Sequence, residues 1–427
     1  MTGGALMSLV SVGAQNLYIT ANPQVTFFKT VYRRHTNFAQ ESIEVTFQGD
    51  TSFGKQLDAV IQRSGDLAKE VYFVFDLPAI INPNEDCDCD AWVHWTNAVG
   101  HAIIERVQIL IGGQCIDEQF GEFLEIWEEL TADSARRLEE MIGKRFSRAQ
   151  LIEDAKLPRR YYTPLQFWFN RNAGLALPLI ALQYHEVRIQ FNLRRMEDLF
   201  VTGSGAHVDD NCGCLTIPLK TQAGCSGFAP LCPNDLNAFL YVNYVFLDTD
   251  ERRRFAQMSH EYLITQVQQQ FSVNLQGGLS ITASDRFQLN LNHPVKALFW
   301  LVQRNCHVAR KDWFNYAGLN GEDPIAMVKL TLNNHDRFSV REARYFRLVV
   351  PWEAWPAIPR RFIYTYSFAL YPAEQQPSGV TNFSRIDNAY IFVHLQPGLC
   401  DAVLRVYAIS YNVLRIMSGM GGLAYSN

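Results

Sequence analysis

Long apolar runs are missing from this chain of 427 residues. A helix that crosses a membrane needs about 20 consecutive apolar residues. The strongest candidate, LALPLIALQYHEVRIQF at residues 175–191, is interrupted by Pro178 and then turns into a strict apolar–polar alternation. The opening segment MTGGALMSLVSVGAQNLYITANP has no basic stretch ahead of its apolar residues and is broken by Gln15 and Asn16, so it does not read as a secretory signal. Thr rather than Gly stands at position 2, which excludes the myristoylation pattern.

Charge is also sparse. Charged residues make up 19% of the chain, below the quarter or so usual for soluble domains, and the formal net charge is -5. Lysine is scarce, with 9 Lys against 29 Arg. Arginine is the cation favoured at interfaces, because its planar guanidinium pairs bidentately and stacks on rings. The acidic balance argues against a general attraction to phosphate backbones. The pairs Arg33-Arg34, Arg159-Arg160 and Arg194-Arg195 and the triplet Arg252 to Arg254 are candidates for local basic patches.

Catalytic signatures are absent in turn. His185-Glu186 and His260-Glu261 lack the second histidine of HExxH, since Ile189 and Ile264 occupy those positions. None of the 10 His forms the H-x-H pair of a cupin metal site. There is neither a G-x-S-x-G elbow nor a phosphate-binding loop. No catalytic residue, cofactor or metal is therefore assigned, and His185 and Glu186 read as a pair on the polar face of a strand. The nine cysteines give no secreted-type framework. Cys212, Cys214, Cys225 and Cys232 form C-x-C-x10-C-x6-C in a loop over residues 205–235, which reads first as a free-thiol or disulfide-bearing surface loop and second as a zinc site. Cys87 and Cys89 lie among acidic residues. Asn382-Phe383-Ser384 is the only N-x-[ST] glycosylation acceptor, and an ordinary turn is the preferred reading there.

What is present is period-two alternation, rich in aromatic and β-branched residues. IEVTFQ (43–48), EVYFVFDL (70–77), ERVQILI (105–111), LQFWFN (165–170), EVRIQFNL (186–193) and FLYVNYVFL (239–247) read as strands, and so do RFQLNLN, VKALFWLV, MVKLTLN, FIYTYSFALY, AYIFVHL and LRVYAISY in the second half. The two sets align in order. EVYFVF faces KALFWL, and VQILIGGQCID faces VKLTLNNHDRF through a two-residue hairpin turn. Further on, YYTPLQFWFNRNAGLALPL faces IYTYSFALYPAEQQPSGVT, HEVRIQFNL faces DNAYIFVHL, and FLYVNYVFL faces VLRVYAISY. An all-β chain built from two tandem eight-stranded sandwiches or jelly rolls follows, with a boundary near residue 254. One region departs from this pattern. Across an insertion at about residues 118–157, Phe120, Phe123, Leu124, Trp127 and Leu130 recur at helical spacing, and Ser147 with Gln150 fits a capping box. The insertion reads as an amphipathic helix packed on its own sheet.

The stretches NPQVTFFKTVYRRHTNFA (22–39), LPLIALQYHEV (177–187), VFLDTDERRRFA (245–256), PSGVTNFSRIDNA (377–389) and YNVLRIMSGMGGLAY (411–425) together resemble the major capsid proteins of nucleocytoplasmic large DNA viruses, closest to the algal-virus type, over nearly the whole chain. The resemblance implies a double jelly roll with a helical insertion in the first roll. It divides the chain into an N-terminal segment 1–25 toward the shell interior, a first roll 26–254 and a second roll 255–427. It further implies homotrimeric, pseudo-hexagonal capsomers that tile an icosahedral shell in the virion, assembled in cytoplasmic factories. The implied partners are further copies, minor capsid and penton proteins and, indirectly, an inner membrane, with no specific nucleic acid and no small-molecule substrate. Phe27, Phe28, Tyr32, Arg33 and Arg34 are then structural and interface anchors. Two other readings compete: a two-domain β-sandwich that binds or processes carbohydrate through Trp92, Trp95, Trp352 and Trp355, and a nucleic-acid binder acting through the arginine pairs.

Overall fold

In strand β1 (Phe38–Thr46), Ile43 and Val45 turn toward a core while Gln40, Ser42 and Glu44 stay exposed, so alternation in the sequence becomes two faces of a sheet. The computed structural model describes residues 3–80, 91–132, 137–204, 236–275, 285–399 and 402–426. It divides into two compact units, Met1–Asn37 and Phe38–Asn427. The first unit contains the helix Gly3–Val10 and a short turn of helix, Leu17–Thr20. No residue described in it is buried.

The second unit holds two sets of eight strands. After β1 come β2 (Gln56–Ile61), β3 (Leu67–Leu77), β4 (Ile104–Ile111), β5 (Gln114–Phe120), β6 (Arg159–Pro164), β7 (Val187–Leu193) and β8 (Asn237–Leu247). They form antiparallel sheets ordered β1-β8-β3-β6 and β2-β7-β4-β5. The second set is β9 (His260–Leu275), β10 (Asp285–Gln288), β11 (Pro294–Arg304), β12 (Ile325–Leu332), β13 (His335–Glu342), β14 (Tyr364–Ser367), β15 (Ala389–Leu395) and β16 (Ala402–Met417). Its sheets run β9-β16-β11-β14 and β10-β15-β12-β13. In each set the first, eighth, third and sixth strands make one sheet, and the second, seventh, fourth and fifth make the other. The protein is therefore a double jelly roll, and the strand pairings read from the sequence repeat fall on equivalent strands.

Each roll closes over its own aromatic core. In the first, Phe73 of one sheet stacks on Phe191 of the other at 4.8 Å between ring centroids. In the second, Trp300 and Phe338 both pack on Phe346. The two hairpin turns take the left-handed geometry that two-residue turns favour, with φ of +58° and +84° at Gly112 and Gly113 and of +48° and +64° at Asn333 and Asn334.

Several local expectations are corrected. The segment expected as a strand at 165–170 follows β6 rather than forming a strand, and turns into the short helix Trp168–Arg171, with Phe167, Trp168 and Phe169 fully buried. Three adjacent bulky rings that all need burial cannot alternate across a sheet with one wet face. Only Tyr364–Ser367 of FIYTYSFALY is strand. In the run 175–191 a two-residue strand, Leu177–Pro178, pairs with β3, and the long strand begins only at Val187, so His185 and Glu186 lie in the loop ahead of β7 and not on a strand face. Among its described residues the insertion contains three separate helices, α1 (Gly121–Thr131), α2 (Glu139–Ile142) and α3 (Arg148–Ala155). Ser147 occupies the cap of α3 with extended φ and ψ, but its side chain makes no capping hydrogen bond, so the capping box does not form.

Candidate functional site

The insertion's first helix carries the largest departure from the sequence reading. All of α1 from Gly121 to Leu130 is buried, glutamates included, which no amphipathic surface helix does. The helix is wedged between the rolls and does not simply lie on its own sheet. Its apolar side meets the outward face of the second roll's β9-β16-β11-β14 sheet. Phe123 lies 6.4 Å from both Phe299 and Tyr407, and Trp127 meets Trp355 edge-on at 5.9 Å. That sheet is consequently buried on both faces: Leu298, Trp300 and Val302 point into the second roll, while Ala297, Phe299 and Leu301 join the core of the first.

Burying Glu122, Glu125, Glu128 and Glu129 requires partners, because an unpaired carboxylate in a dry interior costs several kcal/mol. Lys144 Nζ supplies three contacts, at 2.7 Å to Glu125, 2.7 Å to Glu128 and 2.5 Å to Glu129. His101 Nδ1 lies 2.8 Å from Glu125. The remaining partners come from the other roll. The guanidinium of Arg361 lies 3.2 Å from Glu125, the Arg360 backbone N–H donates to Glu129 at 2.8 Å, Arg405 pairs with Glu122, and the Tyr407 hydroxyl donates to Glu122 at 2.6 Å. Burial pushes the Glu125 carboxyl upward, yet the charges of Arg361 and Lys144 and the hydrogen bond with His101 overcome it and hold the group well below the usual carboxylate range. Glu125, Glu128 and Glu129 have the spacing of a metal cage, but the ammonium of Lys144 already occupies the position a cation would take.

A second seam joins β5 to β9. Asp117 accepts a hydrogen bond from the Val267 backbone N–H at 3.0 Å, and Gln266 donates to the Ile116 carbonyl. Burial drives the Asp117 carboxyl up to about 7 against the hydrogen bonds from Val267 and Gln119. Nearby, Lys296 is pushed down to about 7 by burial and by the charge of Arg171. Arg171 itself lies over the Trp127 ring at 3.8 Å. A third contact is His185, whose Nδ1 lies 2.9 Å from the carbonyl of Gly421.

The residues singled out from sequence do not converge on a pocket. His185 lines a surface recess of about 430 Å³ together with Arg63, Tyr184 and Glu186, but it is engaged by Gly421, and Glu186 pairs with Arg188 at 2.7 Å. His260 Nε2 meets the Phe255 carbonyl at 2.8 Å, and Glu261 pairs with Arg415. Of the tryptophans proposed for carbohydrate, Trp95 and Trp355 are buried, Trp92 is covered by the Arg148 guanidinium at 4.5 Å, and Trp352 alone is widely exposed. The arginines proposed for nucleic acid are largely spent within the chain: Arg159 on Asp154, Arg160 on Asp76, Arg194 over Trp313 and Arg252 on Asp66. Phe27, Phe28, Tyr32, Arg33 and Arg34 are all exposed. Asn382 is exposed and accepts from the Ser384 backbone N–H at 3.0 Å. Cys87, Cys89 and the quartet Cys212, Cys214, Cys225 and Cys232 lie outside the described residues. Cys115 and Cys306 are free, and burial with the neighbouring Glu118 and Asp117 pushes the Cys115 thiol up to about 11. No helix among the described residues is long and apolar enough to cross a membrane.

The network on α1 was not singled out beforehand. Its signal was the spacing of Glu122, Glu125, Glu128 and Glu129 on the helix that also carries Phe123 and Trp127.

Residues 26–248 match the family described as "Major capsid protein N-terminus", and residues 251–422 match "Large eukaryotic DNA virus major capsid protein". The major capsid protein of Pyramimonas orientalis virus is 41% identical over 100% of this chain and 100% of its own. The chain belongs to the large eukaryotic DNA virus major capsid proteins. A second relative of this capsid protein, from Phaeocystis pouchetii virus, is 37% identical over 99% of this chain and 100% of its own. Among solved structures, PBCV-1 VP54 fitted into a reconstruction of the virophage Sputnik aligns with a TM-score of 0.75 and 33% identity, covering 94% of this chain and 100% of that one. The Faustovirus major capsid protein shares the fold, with a TM-score of 0.71 at 13% identity, covering 97% of this chain and 96% of that one. The capsid protein is a structural component of the virion, as its relatives are, and not an enzyme.

Proposed function

We propose that three copies of the chain close into a capsomer with a nearly hexagonal outline, which tiles the icosahedral shell of a large double-stranded DNA virus. The observation that carries this reading is the pair of rolls with identical strand order, held together by a buried seam, so that each chain supplies two similar sectors of a ring. Three chains supply six sectors, and heterologous contacts that return on themselves give a closed trimer. The exposed apolar and basic residues Phe27, Phe28, Tyr32, Arg33 and Arg34 are proposed as anchors to neighbouring shell components, among them minor capsid and penton proteins and, through these, an inner membrane. Assembly is placed in cytoplasmic factories of the host cell.

The test is the solution mass of the purified chain by size exclusion with light scattering. The expected value is about 146 kDa, three times the 48.8 kDa chain mass. A single-chain mass that persists at the highest workable concentration overturns the reading.

A further inference from the structure

The seam between the rolls has a second, unmated version on the surface of the chain. Cross-strand pairing gives the equivalence without sequence similarity. In the first roll Phe73 pairs with Leu240 on one side and Thr163 on the other; in the second, Trp300 pairs with Val406 and Tyr364. Matching Phe73 to Trp300 places the paired residues Tyr72 and Tyr241 where the second roll has the paired residues Phe299 and Tyr407. Phe299 and Tyr407 are fully buried beneath α1, whereas Tyr72 and Tyr241 are only partly buried.

The covering element is duplicated as well. In the first roll α1 follows β5 and presses Phe123 and Trp127 onto the seam. In the second roll two abutting helical turns, Tyr345–Val349 and Val350–Ala354, come after β13. One side of them, Phe346 and Val350, is buried in the second roll's core. The other side exposes Leu348 and Val349 at 39% each and Trp352 at 77%. Such side chains are costly to leave in water.

Charge supports the same match at the sheet edges. Within the chain, edge strand β5 meets edge strand β9 through Asp117 and Gln266. The equivalents are β13, which exposes Arg337 and Arg341, and β1, which exposes Glu41 and Glu44. β1 carries no charged residues besides those two glutamates, while on β13 the arginines share the strand with Glu342 and with Asp336, which is paired with Lys329 at 2.9 Å, so the arginines are the groups of β13 that complement β1.

We propose that the helical turns 345–354 and edge strand β13 of one copy dock on the outward β1-β8-β3-β6 face of a second copy, with Trp352 seated near Tyr72 and Tyr241 and the arginines of β13 against Glu41 and Glu44. The contact between chains then repeats the contact between rolls. This inference rests on the reading of the chain as a trimer-forming subunit and assigns the two surfaces that close it. The contact is heterologous, since the docking surfaces differ.

The experiment uses the full chain and follows mass by light scattering and fold by circular dichroism. Trp352→Glu and Tyr241→Glu are each expected to run at 48.8 kDa with an unchanged spectrum, and Trp352→Phe is expected to remain assembled. Each charged variant spoils a different half of the contact, so an equimolar mixture of the two is expected to form a complex of twice the chain mass and stop there. Where Trp352→Glu fails to fold, the double variant Arg337→Glu with Arg341→Glu is expected to dissociate the trimer, and Glu41→Lys with Glu44→Lys in the same chain is expected to restore it. A trimeric wild type whose folded variants stay trimeric overturns this assignment and leaves the capsomer reading standing. A wild type that remains a single chain overturns both.

Discussion

Lys144 replaces what would otherwise be a metal or a cavity: one ammonium held by three carboxylates of a single helix. Removing one partner of a buried ion pair leaves an uncompensated charge and typically costs about 3–5 kcal/mol. Lys144→Met is therefore expected to lower stability by an amount of that order, read as a shift in the urea midpoint at constant slope. Asp117 and Lys296 act through pH instead. The folded Asp117 keeps its proton to about 7, while an unfolded carboxyl releases it near 3.8, so between these values the folded state holds more protons and stability falls as pH rises. Lys296 loses its proton near 7 when folded but near 10.5 when unfolded, so its contribution rises with pH across that window. Stability is expected to dip around neutrality. Asp117→Asn should flatten the limb from pH 4 to 7 and Lys296→Met the limb above pH 7, in denaturation midpoints measured across pH; unchanged limbs would show that folding shifts neither group. None of this was legible beforehand, because four glutamates on one helix read as a solvated face until the arginines that neutralise them are brought across from the other roll.

At the scale of elements, the hairpins and the helix α1 were legible, and what surrounds α1 was not. A Gly-Gly or Asn-Asn pair between alternating strands specifies its turn locally, and the structure bears both turns out. The two glycines of the first hairpin are nevertheless unequal. A methyl group on Gly112 would lie 2.5 Å from His185 Nδ1, whereas Gly113 has nothing within 4 Å. Gly112→Ala is expected to lower the melting temperature clearly more than Gly113→Ala, since both pay for a left-handed backbone and only the first also displaces the histidine. For α1 the apolar spacing was read correctly and its surroundings were not. Periodicity says which side chains share a face but is silent about what covers the opposite one. Trp127→Ala is expected to cost about 3–5 kcal/mol, the usual range for a large buried ring. The misplaced strand at 165–170 has a related cause, because Phe167, Trp168 and Phe169 have strand-like composition but are all buried.

Across the whole molecule the duplication was legible because it is written as order: five segment pairs recur in the same sequence, and each falls on equivalent strands. The sharing of one core by both rolls was not legible, since Ala297, Phe299 and Leu301 face out of their own roll and still avoid water. Two rolls joined by so extensive a buried seam should melt together. Tryptophan fluorescence and near-ultraviolet dichroism are expected to report one coincident transition, and Phe123→Asp is expected to split it into two; a split transition in the wild-type chain would show that the rolls are energetically separate.

The shared seam also bears on the order of synthesis. A ribosome delivers α1 long before its neutralising partners, as Arg405 follows Glu122 by 283 residues. Until then the emerging first roll carries an unfinished hydrophobic wall with an acidic helix against it. A chain whose translation stops early cannot bury that surface, so truncated products remain distinguishable from finished subunits by the very face that completion hides.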